Sequence, residues 1–324
     1  MKRITLAIML TVWGSALAAC GSSSTSSSSS GGGGGANGGT ANCPAPSGAS
    51  TNGNGTSLKI GSKGFAEEQI LAELAKQALT KAGFSIDYST QEADPQLGQD
   101  LANGKIDLYP QYTGTELQKY DNVDQPQRDL SAAFQQVKGI DDPKSICWIA
   151  PAPMDDTNGL AMRSSDSSKF GSTLSALTTY LQSHSDVKVC VMAEFKSRAD
   201  GIPGLAATYG NVWSSYNTTV VDKTAEKDIA AGNCDVGEVF TTDSGIAANN
   251  LAVFQDDKTL FPPDNVGLEV RSSVLQKNPG IAAIMNPIYA KITTDEITKL
   301  NKQVEIDNKK PSDVAAAWLQ QNGF

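Results

Sequence analysis

The sequence has few of the groups on which enzyme chemistry most often depends. It contains a single histidine, His184, and no pair of cysteines in C-x-x-C spacing. A zinc centre needs several such ligands, so no metal site is expected. The G-x-S-x-G motif of the α/β hydrolases is absent as well. We expect His184 at the surface end of a helix, and we predict neither enzyme activity nor a cofactor.

Basic residues are also scarce. The chain has 26 Lys and Arg against 35 Asp and Glu, which gives a formal net charge of −9. No block of basic residues occurs anywhere. Because Lys and Arg supply most of the affinity for phosphate backbones, nucleic acid is not an expected partner.

The N-terminus has the pattern of an export signal. Met1-Lys2-Arg3 is basic, and the apolar run over 4–19 is shorter than the ~20 residues of a stable membrane span. Leu17-Ala18-Ala19-Cys20-Gly21 matches a bacterial lipobox, in which the cysteine is lipidated. An ordinary signal peptide is the alternative. We predict a signal peptide over 1–19, a lipid on Cys20 and a location on the extracytoplasmic face of the cell membrane.

A segment with almost nothing to bury follows this signal. Residues 20–57 are mainly Ser, Gly, Thr, Asn and Pro, so they are predicted to form a disordered tether with a reach of roughly 35 Å. No later apolar run is long enough to span a membrane, so the remaining residues are expected to form a soluble body held by its anchor.

Four cysteines remain after Cys20. An even number in an exported chain favours two disulfides, for which three pairings exist. We favour Cys190–Cys234, because each lies at one end of a strand in the same predicted lobe. Cys43–Cys147 then follows by elimination. A thiolate metal site is the alternative, and the lack of C-x-x-C spacing argues against it.

Periodicity in the body predicts two α/β lobes. Strands at 58–60, 84–88 and 106–108 alternate with helices at 70–82 and 95–103, which favours a parallel sheet. A similar pattern restarts at 187–192 and continues to Phe240, and the tail is helical. Two such lobes imply a cleft, and ligands in these folds lie at the carboxyl ends of strands.

The segments at those strand ends resemble one family. The motifs are Gly61-Ser62-Lys63-Gly64-Phe65-Ala66-Glu67, Asp107-Leu108-Tyr109-Pro110-Gln111-Tyr112-Thr113-Gly114-Thr115 and Phe195-Lys196-Ser197-Arg198-Ala199-Asp200-Gly201-Ile202-Pro203-Gly204-Leu205. They are similar to the substrate-binding lipoproteins of osmoprotectant ABC importers, which bind glycine betaine, choline or carnitine. The resemblance covers essentially all of residues 58–324.

The resemblance implies a type II periplasmic-binding fold that closes on its ligand. Lobe 1 would comprise 58–154 plus 262–324, and lobe 2 would comprise 155–261. The implied partners are a small molecule, the membrane permease subunits of the importer, and the membrane itself through the lipid. The protein is expected to be a monomer.

The resemblance also implies a set of ligand contacts. Members of the family hold a quaternary ammonium in a cage of tyrosines through cation–π attraction. Tyr112 matches one cage tyrosine. The residues that match the family's carboxylate-binding set are Lys63, Thr115 and Arg198.

Three further cage positions depart from the family pattern. Phe240, Asn158 and Asp264 stand where tyrosines are expected. Asparagine and aspartate form hydrogen bonds, whereas a trimethylammonium group has no hydrogen-bond donor or acceptor with which to pair. The predicted ligand is therefore a quaternary amine or a related small molecule, and a polyol, an amine or an aromatic compound is the alternative. An enzyme or a cell-surface interaction protein is the remote alternative.

Overall fold

The structure is a computed structural model of the chain, and it describes residues 42–44, 50–91, 94–123 and 126–324. The side chains of residues 89–95 are outside this description. The described residues belong to one compact unit, residues 40–324, and a separate unit, residues 1–39, is not described. The predicted signal peptide, Cys20 and most of the predicted tether therefore lie outside the described residues. Within them, no helix combines the length and apolarity that crossing a membrane requires.

Ten strands occur in the described residues. They are β1 (Ser57–Ser62), β2 (Ser85–Gln91), β3 (Leu108–Tyr112), β4 (Ile146–Ile149), β5 (Asn158–Arg163), β6 (Val189–Met192), β7 (Thr218–Val221), β8 (Val236–Phe240), β9 (Leu251–Val253) and β10 (Val266–Arg271).

Helices connect and cover these strands. They are α1 (Ala66–Lys81), α2 (Asp94–Ala102), α3 (Thr113–Thr115), α4 (Leu130–Asp141), α5 (Ser167–Phe170), α6 (Leu174–Leu181), α7 (Ile202–Tyr209), α8 (Val212–Ser215), α9 (Glu226–Ala231), α10 (Ser244–Ala248), α11 (Ser272–Lys277), α12 (Gly280–Tyr289), α13 (Thr294–Glu305) and α14 (Pro311–Gln321). A π-helical turn, Glu116–Tyr120, follows α3 directly.

The first sheet is mixed rather than parallel. Its strand order is β2-β1-β3-β10-β4. The predicted parallel arrangement is confirmed for β1, β2 and β3, but β10 runs antiparallel to both β3 and β4. The antiparallel direction of β10 arises because this strand enters from the opposite lobe and inserts between two strands that precede it in the chain.

The second sheet repeats this arrangement. Its order is β7-β6-β8-β5-β9, and β5 runs antiparallel to β8 and β9. Like β10, β5 is the first strand after the chain crosses from the other lobe. The two lobes thus share one topology, and the predicted two-lobed α/β fold is confirmed.

The longest predicted helix forms as its periodicity indicates. On α1, Ile70, Leu71, Leu74 and other apolar residues at helical spacing are buried. This face packs on the first sheet and on α12, α13 and α14. Gly83 follows with a φ of 89°, a left-handed conformation that ends helices readily when the residue is glycine. The core of the first lobe therefore fixes the start of α1, from which side chains reach the cleft.

The chain passes between the sheets twice, and the two crossings are bonded to each other. The backbone N–H of Asp264 donates to an Asp155 carboxylate oxygen at 2.8 Å, and the N–H of Asp156 donates to the Asp264 carbonyl at 3.1 Å. The Thr157 hydroxyl donates to the Pro262 carbonyl at 2.8 Å. Paired crossings of this kind form a hinge about which two lobes move.

Two disulfides are present, with the favoured pairing. Cys190 is bonded to Cys234, and Cys43 is bonded to Cys147. Residues 50–56, assigned above to the tether, lie against the end of α1, where the N–H of Gly53 donates to a backbone carbonyl at 2.8 Å. The tether boundary at residue 57 stays a prediction.

Candidate functional site

A cavity of about 700 Å³ lies between the two lobes. Its volume is within the usual range for small-molecule sites. Its walls include all seven residues that the sequence singles out as ligand contacts. These are Lys63, Tyr112, Thr115, Asn158, Arg198, Phe240 and Asp264.

Strand direction explains why residues so distant in sequence meet. Lys63 follows β1, Thr115 follows β3, Arg198 follows β6 and Phe240 ends β8. The carboxyl ends of parallel strands gather at one edge of each sheet, and these two edges face the cleft.

The antiparallel strands contribute their opposite ends. Asn158 begins β5 and is paired with Phe240 of β8. Asp264 lies two residues before β10, whose Val266 is paired with Tyr112 of β3. Because β5 and β10 run in reverse, their amino ends reach the same edge as the carboxyl ends of the parallel strands.

Lys63 is held from several sides. Its Nζ donates to Oε1 of Gln111 at 2.7 Å and lies 3.9 Å from Oε1 of Glu68. The same Nζ lies 4.8 Å from the centroid of the Tyr112 ring. One cation of the protein is thus already placed over the aromatic ring that the sequence assigns to a cation cage.

Tyr112 is fixed by a buried carboxylate. Its hydroxyl donates to Oε1 of Glu67 at 2.6 Å, and Nδ2 of Asn301 donates to Oε2 of Glu67 at 2.7 Å. Burial and the negative charge of Glu67 raise the pKa of Tyr112, so the phenol keeps its proton and acts as the donor. The orientation of this ring therefore depends on α1 and α13 as well as on β3.

Asp264 makes contacts that a tyrosine would not make. Its Oδ1 accepts the backbone N–H groups of Gly114 and Thr115 at 2.6 and 3.1 Å, and its Oδ2 accepts the Thr115 hydroxyl at 3.1 Å. Burial raises the pKa of Asp264 to about 6, although these donors oppose the shift. Asp264 therefore holds the start of α3, and the Thr115 hydroxyl has an internal acceptor.

Arg198 is paired within the protein. Its Nε and one terminal nitrogen donate to the two oxygens of Asp200 at 2.5 and 2.9 Å, and another terminal nitrogen lies 3.6 Å from Glu194. Asn158 donates weakly to Asp200 at 3.4 Å, while its own Oδ1 is buried with no hydrogen-bond partner in the described part of the chain. Asp200 thus orients two predicted contacts together.

Sequence reasoning missed an aromatic wall and the buried acid. Phe65 lines the cavity, is 45% exposed, and its ring centroid lies 6.3 Å from that of Tyr112. Glu67 lines the same cavity. Both belong to the first family-like motif, Gly61–Glu67, and a large apolar residue directly before a helix start was the available signal.

Acidic side chains predominate in the lining. Seven carboxyl side chains and four basic side chains face the cavity: Glu67, Asp156, Glu194, Asp222, Asp243, Asp264 and Glu305, with Lys63, Lys119, Arg198 and Lys223. Burial and a hydrogen bond with Glu226, which the protonated Asp243 donates, raise the pKa of Asp243 to about 10, so this acid is neutral at pH 7. Burial also raises the pKa of Glu67, and it raises that of Asp156 well above its ordinary value, so the number of carboxyl groups exceeds the negative charge that the lining carries.

Comparison with known proteins identifies the family. Residues 56–321 match the substrate binding domain of ABC-type glycine betaine transport systems. This chain belongs to that family. The match spans both lobes and includes every residue of the cavity described above.

Individual relatives agree with this family assignment. The glycine-betaine-binding protein of Pseudomonas aeruginosa is 28% identical over 82% of this chain and 88% of its own length. The ergothioneine transport permease/ergothioneine binding protein EgtU of Helicobacter pylori is 27% identical over 82% of this chain and 48% of its own length. The solved structure of apo YehZ from Escherichia coli has a TM-score of 0.67 at 25% identity, covering 83% of this chain and 99% of YehZ.

Members of the family are transport components rather than enzymes, and the single histidine is consistent with this. His184 is absent from the cavity lining and stacks on Tyr180, with ring centroids 3.8 Å apart. Its Nδ1 lies 2.9 Å from the carbonyl of Tyr180. This is the helix-end position expected from the sequence.

A cluster of three carboxyl groups lies outside the cavity lining. Oxygens of Glu116, Asp121 and Asp141 approach within 4.8 Å of one another, close enough to hold a metal ion. The ammonium group of Lys144 forms ion pairs with Asp121 and Asp141, the latter at 2.9 Å. Lys144 therefore supplies a positive charge where a metal would otherwise be needed.

Proposed function

We propose that this chain is the extracytoplasmic solute-binding component of an ABC importer and that its ligand is a quaternary amine of the osmoprotectant type. The observation that carries the proposal is the composition of the cavity between the lobes. The rings of Phe65, Tyr112 and Phe240 line it together with an excess of carboxyl groups. Aromatic faces and nearby negative charge attract a cation that has no N–H to donate.

The cavity also contains basic side chains, which suit the anionic group of a zwitterionic ligand. Lys63 and Arg198, with the Thr115 hydroxyl, would bind the carboxylate of a betaine or of carnitine. Arg198 uses one edge of its guanidinium group for Asp200, and its other terminal nitrogen, which lies 3.6 Å from Glu194, would donate to the carboxylate of the ligand. Ligand binding would close the lobes about the paired crossings, and the closed form would be recognised by the permease subunits.

Isothermal titration tests the ligand class directly. The purified protein is titrated with glycine betaine, choline, carnitine and proline betaine, and at least one should bind. Tyr112→Leu should weaken that binding by about tenfold or more, since it removes a cavity ring. Tyr180→Leu is the matched control, because Tyr180 contacts His184 away from the cavity. Absence of binding by all four compounds at millimolar concentration would reject the osmoprotectant proposal.

A second candidate is a betaine that also carries an N–H or O–H group. The buried Oδ1 of Asn158 has no partner in the described part of the chain. A ligand donor could satisfy this acceptor, and a related protein of Helicobacter pylori is named for ergothioneine binding. Thermal shift compares ergothioneine with glycine betaine, since a true ligand raises the melting temperature by mass action. Asn158→Leu should reduce the ergothioneine shift more than the betaine shift.

The membrane attachment and chain organisation are part of the same proposal. Cys20 would carry the lipid, the part of residues 20–57 that precedes the Cys43–Cys147 disulfide would form the free tether, and the protein would act as a monomer. The lobes would comprise 58–154 plus 262–324, and 155–261, because the chain crosses between β4 and β5 and again between β9 and β10. Cys20→Ser should move the protein from the detergent phase to the aqueous phase in detergent partitioning, and retention in the detergent phase would contradict lipidation at this residue.

A further inference from the structure

Glu67 occupies an unusual position at the cavity wall. Its side chain belongs to the first turn of α1, is 3% exposed and lines the cavity. Its two oxygens accept from Tyr112 at 2.6 Å and from Asn301 at 2.7 Å. These bonds come from β3 and α13, so Glu67 joins three elements of the first lobe at the ring that is expected to contact a cation.

Other acids surround Glu67. Asp156, which accepts from the Thr242 hydroxyl at 2.5 Å, and Glu305, which accepts from the Ser244 hydroxyl at 2.6 Å, both line the cavity and both repel its charge. The ammonium group of Lys63 lies over the Tyr112 ring, 4.8 Å from its centroid. Three carboxyl groups therefore lie together at this part of the wall, beside the ring of Tyr112.

The hydrogen bonds favour the ionised form of Glu67. Burial is the larger effect and raises the pKa of Glu67 overall, while the bonds from Tyr112 and Asn301 oppose that effect. The amide nitrogen of Asn301 can only donate, and the phenol of Tyr112 keeps its proton. A cation entering the cavity would stabilise the carboxylate further.

The same bond changes what Tyr112 offers to a ligand. A phenol that donates to a carboxylate gains electron density in its ring. The ring face is then more negative and attracts a cation more strongly. An uncharged group of the same shape is attracted neither to the negative face of the ring nor to the carboxylate.

We propose that Glu67 is a specificity-determining residue, which selects a cationic over a neutral ligand by positioning and polarising the ring of Tyr112. The inference rests on the proposed function, because it assigns a role within the same ligand cavity. Glu67 would thus add a carboxylate from α1 to the aromatic and basic ligand contacts that the family resemblance implies.

Two ligands of the same shape separate this role from a structural one. Choline carries a quaternary nitrogen, and 3,3-dimethylbutan-1-ol carries a carbon in its place. Glu67→Gln keeps the side-chain shape and removes the charge. We expect its choline affinity to fall by about tenfold, with the affinity for the neutral alcohol changed less than twofold. Glu73→Gln is the control, because Glu73 lies on α1 and bonds Lys76 rather than the cavity groups.

Each result decides the inference. Equal losses for choline and the neutral alcohol would show that Glu67 only supports the fold, and unchanged choline affinity would reject the role altogether. If Glu67→Gln does not fold, Tyr112→Phe breaks the same bond and should weaken choline alone by about threefold; no selective loss overturns the inference. If the wild-type protein binds neither choline nor the betaines, the proposed function fails first, and this inference fails with it.

Discussion

The ammonium group of Lys63 shows how a single residue can serve two ligand classes differently. It lies 4.8 Å from the Tyr112 ring centroid and 2.7 Å from Gln111 Oε1, in a side chain that is nearly buried. For a betaine, Lys63 would provide a positive charge for the carboxylate. For choline, which has no carboxylate, the same charge would repel the ligand and compete for the ring.

Lys63→Met should therefore have opposite consequences for the two ligands. We expect glycine betaine affinity to fall by at least about tenfold, while choline affinity is retained or increases. Isothermal titration measures both. Lys119→Met, at an exposed lysine of the same cavity, is the control. A similar loss for both ligands would mean that Lys63 supports the cavity rather than recognises a carboxylate.

At the scale of single residues, the sequence predicts which side chains lie in the cavity but not which hydrogen bonds they form there. Motif position places Lys63 and Thr115 at strand ends, and the cavity indeed contains them. The bond from Tyr112 to Glu67 spans 45 positions, and that from Thr115 to Asp264 spans 149. Such contacts depend on how separate elements pack, and residue spacing alone carries no information about them.

At the scale of one element, α3 depends on a carboxylate from the other end of the chain. Asp264 accepts the first free N–H groups of the turn, as a capping residue does. A Cβ added at Gly114 would lie 3.0 Å from both the Asp264 carboxylate and the Pro263 carbonyl. Glycine at this position therefore allows the second crossing to approach the turn closely.

Asp264→Ala should destabilise the fold by about 1–2 kcal/mol, because it leaves backbone donors without their acceptor. The free energy of unfolding in urea measures this change. Asp313→Ala is the control, at an exposed acid in the first turn of α14. If the two variants lost the same stability, the bonds from Asp264 to Gly114 and Thr115 would contribute nothing beyond an ordinary surface acid.

Strand prediction at this scale succeeded for β1 and β2 and failed for β5. β1 and β2 show alternation and were predicted. β5 was missed, because five of its six residues are buried and both faces are covered. The direction of β10 follows from the crossing that precedes it, which local sequence does not encode.

At the scale of the whole molecule, buried acids make stability depend on pH. Burial and the nearby Asp141 raise the pKa of Glu116 to about 8 in the folded protein, against an ordinary value of 4.5. The folded state then binds this proton more tightly than the unfolded state does. The resulting stability is complete below pH 4.5 and is lost as pH rises through about 8.

Glu116→Gln should flatten this dependence. Between pH 5 and pH 9 the wild-type free energy of unfolding should fall by roughly 2–4 kcal/mol more than that of the variant. Urea titrations at several pH values measure the difference. Glu194→Gln, at an exposed side chain, should follow the wild-type curve. Parallel curves for Glu116→Gln and the wild-type protein would contradict the assignment of the proton to Glu116.

The two disulfides lie on different sides of the hinge. Cys190 and Cys234 are joined at the second sheet, and Cys43 and Cys147 are joined at the first. Because neither bond crosses between the lobes, both should stabilise a lobe without restricting closure. Loss of either disulfide is therefore expected to lower the stability of the protein without a comparable loss of ligand affinity.

Replacing Cys190 and Cys234 by Ala should therefore lower the free energy of unfolding by about 2–4 kcal/mol. The affinity for whichever quaternary amine the wild-type protein binds should change less than about threefold, since closure uses the crossings and not the strand ends near this bond. Urea denaturation and isothermal titration on the same preparation measure the two effects, with the Cys43 and Cys147 double variant as the comparison. A large loss of affinity in the folded Cys190 and Cys234 variant would mean that this disulfide helps to shape the cavity wall formed by β6 and β8.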